Sequence, residues 1–262
     1  MDSMRFGMCN LSVVPVRTEP SHKSEMVSQL LFGELFEITE KTDEWVKVRL
    51  IYDNYEGWVN GKQYMPLYNE TFDKLHDFGC TITLDLVQVL INETKNYMIP
   101  VVLGSSLPFV VNNSFYIDNH KYSFDGNVRP SNEPVTPEKI VENAYMYLDA
   151  PYLWGGRSPF GIDCSGLVQM AYKLSGIKLL RDAHQQATQG TSVNFLSEAS
   201  QGDLAFFDNE EGNIIHVGII LTNNQIIHSS GNVRVDALDH EGIYNEKLKK
   251  YTHKLRLIKK II

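Results

Sequence analysis

Residues 152–166 read Tyr152-Leu-Trp-Gly-Gly-Arg-Ser-Pro-Phe-Gly-Ile-Asp-Cys-Ser-Gly166, and this stretch decides how the second half of the chain folds. A glycine-rich loop runs into Cys164. Leu167, Val168, Ala171 and Leu174 then recur at helical spacing until Gly176 stops them. Cys164 therefore stands where a loop becomes an amphipathic helix. A helix start gathers unpaired N–H groups and the positive end of the macrodipole, and both favour thiolate over thiol. Further along, His216 sits in the alternating run Ile214-Ile-His-Val-Gly-Ile-Ile220, on the side of Ile214, Gly218 and Ile220. His228 follows a turn at Thr222-Asn-Asn-Gln225, so the two imidazoles are expected as cross-strand neighbours. A histidine on an apolar strand face is ordinarily a core residue, but Gly218 leaves space beside this one. A thiol, a base and a group that orients the base are the parts of a cysteine hydrolase.

Working outward, Thr136-Pro137 supplies an N-cap with proline in the first helical position, and Ile140, Val141, Ala144 and Leu148 form the apolar stripe of that helix. Asp182-Ala-His-Gln185 fits a capping box opening a short helix over about 183–189. The same Asp182 carboxylate on the rim of a site would also hold a substrate ammonium. Strands are expected near 203–208, 214–221, 225–229, 233–236 and 253–259. Helices first and strands afterwards give an α+β domain with an antiparallel sheet. Before the proline-rich linker Arg129–Pro137 the texture changes. Residues 10–68 show short strands such as Trp45-Val-Lys-Val-Arg-Leu50 with no helix-period segment between them, which predicts a small antiparallel barrel. Residues 80–130, including Pro108-Phe-Val-Val111, repeat that texture. The expected division is residues 1–70 and 71–130 as two small all-β modules and 131–262 as the α+β domain.

The formal net charge of −8 and the lack of a basic block argue against nucleic acid or anionic lipid as partners. Three widely spaced cysteines, Cys9, Cys80 and Cys164, make neither a disulfide framework nor a metal site. No run approaches membrane-spanning length, and the opening residues lack the apolar core of a signal peptide. A cytoplasmic protein is expected, or a periplasmic or secreted one if a leader was removed. The six histidines other than His216 and His228 are expected at the surface.

Together these motifs carry a resemblance. Tyr152-x-Trp-Gly-Gly, Gly161-x-Asp-Cys-Ser-Gly166, Arg181-Asp182-x-x-x-Gln186, Gly202-Asp203-Leu, His216-Val-Gly and Ile227-His228-Ser follow one another in the order found in the NlpC-type cell-wall peptidases, a papain-like family. Val14-Pro-Val-Arg17-x-Glu19-Pro and Tyr55-Glu-Gly-Trp58-Val resemble a bacterial Src-homology-3-like barrel. The whole chain is similar to γ-D-glutamyl-L-diamino-acid endopeptidases of the dipeptidyl-peptidase VI type, with two such barrels before the catalytic domain. The resemblance implies cleavage of murein stem peptides that carry a free N-terminal L-Ala, in wall-peptide recycling and without a cofactor or metal. It implies Cys164 as nucleophile, His216 as base and His228 as third member. Tyr152, near the oxyanion, stands on the substrate side with Trp154, Asp163, Ser165 and Asp182, the last holding the L-Ala ammonium. From the barrel, Glu19 and Tyr55 are the candidates for closing that end, with Glu25 as a rival. Ala183 stands where the family often has serine. A hydrolase of intact peptidoglycan and a non-catalytic wall-binding protein are the alternative readings.

Overall fold

The computed structural model describes residues 4–108, 110–130 and 132–262. Phe109, in an expected strand, and Ser131, in the linker, lie outside the described residues. The chain divides into two compact units, residues 1–133 and 134–262.

In the first unit, Phe6–Met8 (β1), Val13–Arg17 (β2), Met26–Leu31 (β3), Leu35–Lys41 (β4), Trp45–Leu50 (β5), Glu56–Asn60 (β6) and Met65–Leu67 (β7) form one antiparallel sheet, ordered β3-β2-β6-β5-β4-β1-β7. Alternation places Val14, Val16, Val46 and Val48 in its core. A helix absent from the sequence reading, Asn69–Asp77 (α1), follows and buries Phe72. Then come Cys80–Ile82 (β8), Val87–Asn92 (β9), Tyr97–Val102 (β10), Ser106–Pro108 (β11), Ser114–Ile117 (β12) and His120–Phe124 (β13). Four of these build the sheet β10-β9-β13-β12, and β8 pairs with β11. The two all-β modules share a core. Met8, Phe32, Leu67 and Phe72 pack in one cluster with Leu90, Leu107, Phe115 and Tyr122, which accounts for a single unit here.

The second unit opens with Pro137–Tyr145 (α2), capped by Thr136 as expected. It stops short of Leu148, which is exposed instead of completing the stripe. A small hairpin, Arg157–Ser158 (β14) with Gly161–Ile162 (β15), precedes Cys164–Leu174 (α3) and Ala183–Gln186 (α4). The strands are Thr191–Val193 (β16), Leu204–Asp208 (β17), Ile214–Ile220 (β18), Gln225–Ser230 (β19), Asn232–Leu238 (β20), Gly242–Asn245 (β21) and Lys250–Lys260 (β22). Leu221 N–H donates to the Gln225 carbonyl across a three-residue turn between β18 and β19, in which Asn223 and Asn224 take φ of 58° and 54°. The sheet runs β16-β22-β17-β18-β19-β20-β21, and β22 pairs with β21 as well, so it closes on itself. Phe207, Ile220, Ile226 and Ile243 pack together in its core. Helix α3 lies against β18 and β19 with every residue buried. Among the described residues no helix is long and apolar enough to cross a membrane.

Candidate active site

Cys164 is the first residue of α3, and Asp163 is its N-cap, accepting from the Gly166 N–H at 2.6 Å. Gly166 is required by close approach: a Cβ there would lie 2.3 Å from the Gly156 carbonyl oxygen. The preceding loop is stitched to the sheet, with Ser229 Oγ donating to the Ile162 carbonyl at 2.8 Å and the Tyr152 N–H to Gly231 at 2.9 Å. Beneath the helix start lies a buried ion pair. Arg181 grips the Asp163 carboxylate with both terminal nitrogens at 3.0 and 2.6 Å, and donates to Ser165 Oγ at 2.8 Å. Gly155 N–H and Ser165 Oγ complete the donors to Asp163. Gln186 Nε2 holds the Ser165 carbonyl at 3.0 Å. Asp163 and Ser165 were expected to touch substrate, yet both side chains are committed to this support.

The backbone of Val217 and Ser165 lies close enough to the Cys164 thiol to draw its pKa down, which sets the thiol beside the strand residue that follows His216. Burial, aided by the Asp163 charge, nonetheless pushes the thiol up to about 12. Burial of Cys164, a residue 7% exposed, thus works against the pull of the helix start toward thiolate. Tyr152 stands near enough to feel Cys164 and Asp163; burial and those two charges push its phenol up to about 12, so it remains a donor.

His216 and His228 meet as expected, with His216 Nε2 2.9 Å from His228 Nδ1. Gly218 makes room for the second ring, since its Cβ would lie 2.9 Å from His228 Cβ. The chain of contacts continues beyond the sequence reading. His228 Nε2 lies 3.1 Å from Asp236 Oδ2, which also accepts from Arg234 Nε at 2.8 Å and from Asn245 Nδ2 at 3.3 Å. Burial opposes the Asp236 charge, but the hydrogen bonds from His228 and Arg234 hold its carboxyl far below the ordinary range. Burial lowers His216 well below its usual value, with His253, His228 and Arg234 adding to the effect.

His253 corrects the expectation of a surface histidine. Its ring stacks on that of His216 with centroids 4.1 Å apart and planes at 23°. Burial, with His228 and Arg234, takes it down to about 4. The nitrogens of His216, His228 and His253 lie within 4.8 Å of one another, near enough for a shared metal. The stacking speaks against one, because in-plane lone pairs of near-parallel rings do not converge, and two of the nitrogens already share a proton.

Asp182 is half-buried at the start of α4, where its N–H donates to Gln185 Oε1 at 3.1 Å in the expected capping box. Trp154 is 57% exposed on the loop before Cys164. Glu19 and Glu25 are exposed on the β2–β3 connection of the first unit, and Tyr55, on the β5–β6 connection, packs against the core around Cys9 and Val14. Sequence reasoning left out Asp236 and His253. The alternation Val233-Arg-Val-Asp-Ala-Leu238 put two polar side chains, Arg234 and Asp236, on one strand face and was the signal for the first.

Residues 149–254 match the NlpC/P60 family, and residues 16–63 the bacterial dipeptidyl-peptidase Sh3 domain. A γ-D-glutamyl-L-lysine dipeptidyl-peptidase of Bacillus subtilis is 30% identical over 240 residues, 86% of this chain and 75% of its own. Dipeptidyl-peptidase 6 of Lysinibacillus sphaericus is 30% identical over 249 residues, 85% of this chain and 88% of its own. The crystal structure of an NlpC/P60 family protein from Bacillus cereus superposes with a TM-score of 0.83 at 20% identity, covering 98% of this chain and 99% of that one, a likeness of fold.

Proposed function

From the premise that the chain belongs to the NlpC/P60 family of cysteine peptidases, we propose that it cleaves the bond between γ-linked D-Glu and the L-diamino acid of peptidoglycan stem peptides with a free N-terminal L-Ala. The observation that carries the reading is that the Cys164 thiol feels the backbone of Val217, the residue after His216, whose imidazole is aligned through His228 to Asp236. Two relatives named for γ-D-glutamyl-L-lysine or dipeptide cleavage support the choice of bond.

Cys164 attacks the γ-carbonyl of D-Glu as His216 takes the thiol proton. Burial disfavours the charged form of both thiol and imidazole, which favours attack with proton transfer. Backbone N–H groups at the start of α3 and the Tyr152 hydroxyl stabilise the oxyanion. His216 protonates the leaving amine and then activates water against the thioester. Asp182 meets the L-Ala ammonium, with Trp154 as a further contact. Free amines mark peptides already cut from the wall, which supports a role in recycling such peptides over one in opening intact wall.

Mass spectrometry of products from L-Ala-γ-D-Glu-L-Lys and its N-acetylated form tests this. Removing an ammonium–carboxylate contact should lower kcat/KM for the acetylated peptide at least about tenfold. Comparable cleavage of both would make the chain a hydrolase of intact wall. No cleavage of either, or full activity in Cys164→Ala, would overturn the assignment.

A further inference from the structure

The hydrogen bond between His216 Nε2 and His228 Nδ1, 2.9 Å long, fixes where one atom of the His216 ring points. A single bond at one edge restrains direction and leaves the ring plane free to turn. With Nε2 engaged, Nδ1 is the nitrogen left for the thiol proton, and turning would swing it away. The plane of the ring must therefore be held by packing.

His253 supplies that packing. Its ring lies 4.1 Å from that of His216 at 23°, whereas Phe207, the cross-strand partner of His216, meets it at 5.7 Å and 46°. His253 is itself pinned. It stands edge-on to Phe207 at 5.9 Å and to His228 at 5.8 Å, and its Nδ1 is 2.9 Å from Thr252 Oγ1.

The backbone is bent around this stack. Strand β22 lies two strands from β18, with β17 between them. In the β17–β18 pairing Phe207 opposes His216 and Asp208 opposes Ile214, which leaves Ile215 unpaired. In the β21–β22 pairing Ile243 opposes His253 and Tyr244 opposes Tyr251, which leaves Thr252 unpaired. Each histidine thus directly follows the extra residue of a bulge, the device by which strands re-aim side chains beside functional sites. Gly242 brings β21 close at the same point, since a Cβ there would lie 1.9 Å from the His253 carbonyl oxygen.

We propose that His253 is a positioning residue, whose ring holds the plane of His216 so that Nδ1 stays turned toward the Cys164 thiol. The role rests on the assignment of His216 as base made above. It requires a flat ring and no titrating nitrogen. Another aromatic ring therefore serves, and an aliphatic side chain does not.

The experiment replaces His253 by leucine, which fills space without a ring, and by phenylalanine, which restores one. Two rates are read for each protein. The first is kcat, with KM, on L-Ala-γ-D-Glu-L-Lys. The second is alkylation of Cys164 by iodoacetamide, followed at its own peptide by mass spectrometry, which needs the thiol proton removed but no substrate. His253→Leu should lower kcat by about tenfold to a hundredfold with KM within about twofold, because a misplaced catalytic group costs on that order. Alkylation should slow by a similar factor. His253→Phe should bring both rates to within about threefold of the unmodified enzyme. His253→Met takes the place of the leucine variant if that one does not fold. Equal rates in the aliphatic and phenylalanine variants, or a loss confined to KM or to melting temperature, would overturn the positioning role. Alkylation ordered as expected, with the peptide left uncleaved by the unmodified protein, would support the positioning role and overturn the choice of substrate.

Discussion

A carboxylate can only accept, so the Asp236 oxygen 3.1 Å from His228 Nε2 requires the proton on that nitrogen. Neutral His228 then presents a lone pair at Nδ1, and His216 Nε2, 2.9 Å away, must donate to it. His216 Nδ1 is left unprotonated, as the proposed transfer of the thiol proton requires. Asp236→Asn breaks this order, because the amide can turn and donate to His228, moving both tautomers and protonating the nitrogen that should be basic. We expect kcat to fall by about 10²–10⁴ with KM nearly unchanged, as when other triads lose their tautomer-setting carboxylate. Steady-state kinetics with a parallel melting curve decides it: a variant that loses stability and keeps kcat would reduce Asp236 to a partner of Arg234. Cys164 and His216 were legible as candidates in the sequence, since each sits in a local pattern with a definite period. Asp236 and His253 were not, because they meet the site only through the register of strands that local alternation leaves open.

At the scale of the element, the position of α3 depends on a residue outside it. Arg181 precedes α4 in the chain, yet with 1% of its side chain exposed it neutralises the Asp163 carboxylate that caps α3. Arg181→Met keeps much of the volume and leaves a buried charge unpaired, which should cost about 3–5 kcal/mol in chemical denaturation. Arg181→Lys should recover only part, having charge without the fork that spans both carboxylate oxygens. A loss below about 1 kcal/mol for the methionine variant would show that the helix start stands without the ion pair. Helix starts were the most readable elements here: Thr136, Asp163 and Asp182 all stand where capping chemistry predicts. Helix ends and short helices were less so. The α2 stripe was carried one turn too far to Leu148, and α1 buries little beyond Phe72, too weak a pattern to register.

For the whole molecule, the histidine cluster ties stability to pH. His216, His228 and His253 all titrate below their ordinary value in the folded state, chiefly through burial. On acidification the unfolded chain takes up protons near pH 6.5 that the folded chain refuses until about 4 at His253, so stability falls as pH drops through that window and returns as it rises. Melting temperature measured between those limits should decline toward acid, and His253→Phe, which keeps a stacked ring without a titrating nitrogen, should flatten the decline. An unchanged slope would remove His253 from the cause. The all-β texture of the first 130 residues was visible in the sequence, but its gathering into one unit was not, because a shared core is a property of contacts distant in the chain. The closure of the second sheet was hidden for the same reason, and it has a consequence for biosynthesis. Strand β22 pairs with β17 on one side and with β21 and β16 on the other, yet it follows all of them in the chain. While a ribosome is still making it, β17 and β21 wait with unpaired edges open to other nascent chains. The stacking of His253 on His216 cannot form before that last stave arrives, so emergence of β22 is the point at which the histidine cluster is completed and the edges are sealed.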